Sequence, residues 1–169
     1  MDRRWSVWLI PSRKDRLKYE QIIGLYSKKY LFPKFRSHLT LFGRVDIEPE
    51  LTFPFFDILL KDQNDIRLET LNVSTGDQPW KSLYIQFKPN ILLKALQSKI
   101  NDKLKIHRDY NFEPHMSLAY GSLDEEELEI DELSLDETIG FSSVALMHTS
   151  DDIEDWKLIK KYKLRSKHV

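Results

Sequence analysis

Two short segments constrain this chain more than anything else in it: Ser37-His38-Leu39-Thr40-Leu41-Phe42-Gly43 and His115-Met116-Ser117-Leu118-Ala119-Tyr120-Gly121. Each alternates polar and apolar side chains and ends on glycine, the pattern of a half-buried strand. Each also closes a larger unit that occurs once in each half of the chain. In the first half, a strand over 4–10 stops at Pro11. Ser12 and Asp15 then form a capping-box pattern, and a helix carried by Leu17, Ile22, Leu25 and Tyr26 runs until Pro33 forbids continuation. In the second half, a strand over 82–88 leads to Pro89, placed in the first turn of a helix whose stripe is Ile91, Leu92, Ala95, Leu96, Ile100 and Leu104.

Between the units, 66–73 alternates like 82–88, and the Ser74–Pro79 segment has the turn chemistry that joins antiparallel strands. Pro49 and Pro54 interrupt 46–65, leaving a short helix over 53–61 capped by Thr52. The acidic stretch 124–132 reads as a short solvated helix or a solvated loop, and 138–149 and 156–164 as closing strands.

A chain of 169 residues, 41% apolar and 31% charged, can bury one core, so a single domain over 1–169 is expected. Its 26 basic and 27 acidic residues give no broad positive field for long nucleic acid. The charge is uneven, however. Residues 1–44 hold eleven Lys/Arg and three Asp/Glu, whereas 124–150 hold nine acids and no base. A local basic region of that kind suits a small phosphorylated ligand. With no cysteine, thiolate nucleophiles, thiolate zinc sites and disulfides are excluded. The apolar run Val7–Ile10 is too short for a signal-peptide core or a membrane span, so a cytoplasmic location away from membranes is expected.

A given histidine is followed by apolar-hydroxyl-apolar with a chance of about 0.02, so two hits among five histidines arise in roughly four random chains per thousand. Residues i and i+2 of a strand project from one face, which sets His38 beside Thr40 and His115 beside Ser117. Brought together, the strands would offer two imidazoles and two hydroxyls to one groove. One neutral imidazole can take a proton from water while the other, protonated, donates to a departing oxygen, and the hydroxyls can bond phosphoryl oxygens. No His-x-x-x-His or His-Glu-x-x-His cluster suggests a metal, and neither metal nor cofactor is expected. His107, His148 and His168 lie outside the motifs, although His148 could reach the groove edge.

The paired motifs resemble those of the two-histidine phosphoesterase superfamily. More narrowly the chain looks like its cyclic nucleotide phosphodiesterase branch, through Trp5-Ser6-Val7-Trp8-Leu9-Ile10-Pro11, Val73-Ser74-Thr75-Gly76 and a similar inter-motif distance. The resemblance implies a bilobal α+β fold, with an antiparallel sheet in each lobe flanked by helices and the active-site groove between lobes. It implies metal-free hydrolysis of nucleoside 2′,3′-cyclic phosphates to 2′-phosphates, and of ADP-ribose 1″,2″-cyclic phosphate from tRNA splicing. In these roles His115 activates water, His38 protonates the leaving 3′ oxygen, Thr40 and Ser117 hold the phosphate, and Trp8, Trp80 and Tyr120 contact the base.

Strict alternation from His115 puts Tyr120 on the opposite face unless a bulge intervenes. Lys34 and Arg36, near the first motif, are candidates to contact an adenosine diphosphate moiety. The chain departs from the branch over 44–72, which is compact and proline-interrupted, and in lacking the cysteines of some members. A monomer acting on a small cyclic phosphodiester is the expected form. Processing of RNA ends or 2′,5′ linkages, and a non-catalytic phosphate-ester binding module, are the competing readings.

Overall fold

The computed structural model describes residues 2–122 and 134–167, so the acidic segment 124–132 and His168 lie outside the described residues. Seven strands form one antiparallel sheet: β1 (Trp5–Pro11), β2 (Leu39–Val45), β3 (Ile66–Ser74), β4 (Leu83–Phe87), β5 (His115–Ala119), β6 (Thr138–His148) and β7 (Lys157–Lys163). Among the described residues three α-helices accompany them, α1 (Arg13–Tyr30), α2 (Phe53–Leu60) and α3 (Ile91–Leu104). The fold is thus mixed, and the two sheets expected from the resemblance are two halves of one ladder. Its order is β1-β2-β5-β4-β3-β6-β7, and a further β1–β6 pairing closes the circuit. The histidine strands meet at a single pair, Leu39 opposite Met116. That seam brings the two motifs side by side.

The helices cover the sheet crosswise. α1, from the first unit, packs on β5 of the second, and α3 packs on β2 of the first. The residues following each helix explain the glycines that end the motifs. Leu31 takes a left-handed conformation at the end of α1 (φ 56°) and Pro33 follows. Phe32 is thereby laid over Gly121, where any Cβ would fall inside its ring. After α3, Tyr110 lies over Gly43, where a Cβ would sit 3.2 Å from the ring. Both glycines therefore permit a close approach of backbone to an aromatic face.

Local details differ from the sequence expectations in three places. Ser12 occupies the N-cap of α1 without a side-chain cap bond. Its hydroxyl instead donates to Asp15 (3.2 Å), whose carboxylate accepts the Gly140 amide (2.8 Å), so the box pattern ties the helix to β6. Pro89 lies outside α3, whose cap is Asn90, accepting the Leu93 amide at 3.0 Å. Thr52 precedes α2 but donates to the Pro49 carbonyl (2.7 Å), closing a 3-10 turn over Pro49–Thr52.

β1 is buried along its whole length, because its two faces enter different clusters. Trp5, Val7 and Leu9 join the main core beneath the helices. Trp8 and Ile10 join Ala145 and Met147 on the opposite, cleft-facing side.

Candidate active site

The seam between β2 and β5 opens into a cavity of about 290 Å³ whose lining includes His38, Thr40, His115, Trp8, Trp80 and Tyr120. Six of the seven residues singled out in the sequence therefore share one cavity. Ser117 is the exception. It is buried just beneath, and its hydroxyl donates to the Trp80 carbonyl (3.1 Å). His107 is exposed, and His148 lines a different, smaller cavity with Arg3 and Glu48.

The two histidines are held by the same device. Nδ1 of His38 bonds the Arg36 carbonyl, and Nδ1 of His115 bonds the Glu113 carbonyl, both at 2.7 Å and both two residues back. A carbonyl only accepts, so Nδ1 carries the proton in each ring and Nε2 is left for a ligand.

The surroundings of the rings differ. His38 is 4% exposed and stacked on Trp8, with ring centroids 3.5 Å apart and planes 8° apart. The Tyr120 hydroxyl lies 3.4 Å from its Nε2. Burial drives the pKa of His38 down to about 3, against the pull of the Arg36 carbonyl, and positive charge on His115 pushes it the same way. His115 is only half-buried. Its pKa is also lowered, first by burial and further by Lys81, while the Glu113 carbonyl and carboxylate oppose the shift. Burial raises the Tyr120 phenol far above its usual range, so it stays protonated and can donate to neutral Nε2.

Two bulges aim these groups. Leu83 opposes Ala119 and Tyr84 opposes Ser117, so β5 carries one extra residue, Leu118. The bulge brings Tyr120 round to the cavity, resolving the phase conflict in the sequence. On β2, Val7 opposes Phe42 and Trp8 opposes Thr40, leaving Leu41 extra. Its carbonyl is met by the buried Gln97 amide of α3 at 3.1 Å.

Sequence reasoning left out Trp156, Lys81, Arg44, Arg108 and Tyr110, which also line the cavity. Trp80 and Trp156 have centroids 6.4 Å apart and planes 21° apart, and Tyr120 meets both at 72°. The three rings make a slot with two near-parallel walls across an aromatic base. Arg44 sits in the left-handed region (φ 60°), its amide bonded to Ser6 and its carbonyl and that of Gly43 bonded by Arg108. Its guanidinium, paired with Asp151, lies over Trp80. Lys81 adjoins Trp80 and Arg44 directly follows Gly43 of the first motif in the sequence, Arg108 and Tyr110 come from the segment before β5, and Trp156 arrives from a remote one. Among the described residues no group of three His, Cys, Asp or Glu side chains is placed to hold a metal ion.

Solved structures similar to this chain include E. coli LigT complexed with 3′-AMP, at 16% identity and TM-score 0.66, covering 96% of this chain and 98% of that one. A structure described as a phosphoesterase matches at 13% identity and TM-score 0.69, covering 96% and 98%. The protein TT0787 of Thermus thermophilus matches at 14% and 0.61, covering 98% and 100%. The fold is that of the two-histidine phosphoesterases. No family model and no curated protein matches the sequence. No helix among the described residues is long and apolar enough to cross a membrane.

Proposed function

We propose that this chain is a phosphodiesterase that hydrolyses nucleoside 2′,3′-cyclic phosphates to nucleoside 2′-phosphates without a metal, with ADP-ribose 1″,2″-cyclic phosphate as a second substrate of the same ring chemistry. The observation that carries this reading is the pair of imidazoles in one cavity, each with Nδ1 fixed to a backbone carbonyl; His38 Nε2 meets the Tyr120 hydroxyl at 3.4 Å, a long contact that a ligand can replace. The cyclic phosphate lies between them, Thr40 bonds a phosphoryl oxygen, and the Trp80–Trp156 slot takes the base. Ser117 holds the Trp80 segment and, after a rotamer change, reaches the phosphate. LigT, which shares the fold, was crystallised with 3′-AMP and with phosphate, compatible with such a ligand here.

In the reaction one neutral imidazole removes a proton from water as its oxygen attacks phosphorus. The bond from phosphorus to the 3′ oxygen breaks, and the other imidazole, protonated, gives that oxygen its proton. Both the attack and the departure are thus served by side chains of this chain. The burial asymmetry favours a definite direction: His38, held neutral, as base, and His115, which protonates more readily, as acid. The reverse assignment, implied by the family resemblance, requires the phosphate anion to hold a proton on buried His38.

The test is turnover of a 2′,3′-cyclic mononucleotide in excess EDTA with identification of the product. Formation of the 2′-phosphate is expected. Binding without product would establish a recognition module instead, and exclusive formation of the 3′-phosphate would overturn the stated bond cleavage.

A further inference from the structure

The two motifs do not offer the cavity the same hydroxyl. Thr40 lines it on the His38 side, whereas Ser117, its counterpart beside His115, lies beneath the floor with its hydroxyl committed to the Trp80 carbonyl at 3.1 Å. While that bond lasts, the residue after Trp80 takes up the position: Lys81 lines the cavity. Its ammonium lies 4.8 Å from the centre of the Tyr84 ring, which meets the His115 ring edge-on at 5.5 Å. The Lys81 backbone is fastened in both directions, its amide donating to the Asp77 carbonyl (2.7 Å) and its carbonyl accepting the Gly76 amide (2.8 Å). Glu113 then holds the side chain, carboxylate to Nζ at 2.6 Å, while the carbonyl of the same residue accepts Nδ1–H of His115 at 2.7 Å. One residue thus orients both a ring and a cation. The other two cations of the cavity are engaged differently. Arg108 bonds the Gly43, Arg44 and Asp109 carbonyls, and Arg44 lies between Asp2 and Asp151. The Lys81 side chain is 21% exposed and its Glu113 partner 56%. An ion pair whose acid is that open to water is weak, so a phosphoryl dianion can take the ammonium from it.

We propose that Lys81 is a further catalytic residue of this site: its ammonium meets a phosphoryl oxygen on the His115 side of the phosphorus, opposite Thr40, and Glu113 is the positioning residue that delivers it. The inference rests on the proposed phosphodiesterase reading. The cyclic diester enters as a monoanion. As water adds to phosphorus and gives one proton to an imidazole, the phosphoryl group comes to carry two negative oxygens. One of those charges leaves with the 3′ oxygen, which takes its proton from the other imidazole. Lys81 keeps its protons throughout. A fixed cation therefore interacts more strongly with the transition state than with the bound diester, which is the condition for raising kcat. A neutral hydroxyl such as that of Thr40 supplies less of that difference.

Because the chain has no cysteine, Lys81 can be removed and rebuilt chemically. Lys81→Met and Lys81→Cys should each lower kcat for a 2′,3′-cyclic mononucleotide about 10²-fold, with KM changed far less. Alkylating the new thiol with bromoethylamine restores an ammonium at the length of lysine and should return most of the lost rate. Alkylation with bromopropane, equal in bulk but uncharged, should not. Equal recovery with the two reagents, or Lys81→Met at the wild-type kcat, overturns the proposal. So does a loss that vanishes at the variant's own pH optimum, because Lys81 would then act only through the field it puts on His115. Glu113→Gln should cost about ten-fold, less than Lys81→Met, since the ammonium remains but is no longer held. A larger loss from Glu113→Gln than from Lys81→Met removes the positioning role. Titration with a nucleoside 2′-phosphate, followed by tryptophan fluorescence, separates this proposal from the reading beneath it. A wild type that binds but makes no product, with weaker binding by Lys81→Met, sinks the phosphodiesterase reading and reduces Lys81 to a binding contact. Turnover by the wild type with equal binding by both proteins sinks the role of Lys81 and leaves the reaction standing.

Discussion

The two halves of the molecule build their histidines with the same backbone bond and then place them in different surroundings. His38 is stacked on Trp8 with the Tyr120 hydroxyl 3.4 Å from its Nε2, whereas the half-buried His115 lies within the field of the Lys81–Glu113 ion pair. Identical local geometry fixes the tautomer in both. The unequal burial separates their proton affinities, which general acid–base catalysis at one phosphorus requires.

The sharpest way to break that comparison is to remove each ring. His38→Ala and His115→Ala should each cost roughly 10²–10⁴-fold in kcat with the fold retained, read by turnover and circular dichroism. A phosphodiester with a good leaving group, such as a nitrophenyl ester, sharpens it. The variant lacking the acid should recover most of its loss there, and the variant lacking the base should not. Recovery by His38→Ala rather than His115→Ala would reverse the proposed direction.

The motif-ending glycines offer a second contrast. Gly121→Ala forces a methyl into the Phe32 ring and should destabilise by about 3 kcal/mol, whereas Gly43→Ala meets Tyr110 at a distance a small ring shift relieves and should cost under about 1 kcal/mol. Equal shifts in denaturant midpoint would contradict the packing described.

Protonation gives a third. Because His38 has a folded pKa near 3 and an unfolded one near 6.5, the unfolded chain binds the extra proton between these values. Its contribution to stability is complete above pH 6.5 and is lost as pH falls toward 3, by about 2 kcal/mol between pH 6.5 and 5. Unfolding of wild type and His38→Gln across that range should diverge accordingly. With both imidazole pKa values lowered, the bell of kcat/KM should centre on the acid side of pH 6.5.

The smallest effect is expected of Tyr120→Phe. Loss of one hydrogen bond to His38 is worth about 1 kcal/mol, roughly a five-fold drop in kcat/KM. No change would remove Tyr120 from the positioning of that ring.

Period-two alternation located every strand around the site, and the glycine and proline breaks located its ends, because these signals act within a few residues. The two His-x-Thr/Ser pairs were legible for the same reason: strand geometry sets i and i+2 on one face whatever surrounds them. Tyr120 was legible only as a conflict. Its resolution needed the extra residue Leu118, and a bulge leaves no mark in an otherwise alternating segment. Ser12 and Asp15 show the same limit from the other side, since the capping pattern is present but its carboxylate is claimed by Gly140 from a remote strand.

The sequence by itself determined which side chains are paired along each histidine strand, where those strands stop, and that thiol chemistry is absent, since covalent order and local backbone sterics decide these. Tertiary structure alone decided that the strands meet at Leu39 and Met116, that Trp156, Arg108 and Tyr110 join the site, and that one imidazole is buried deeper than the other. Desolvation and long-range charge depend on which distant segments close over a group, and no spacing in the chain encodes that directly.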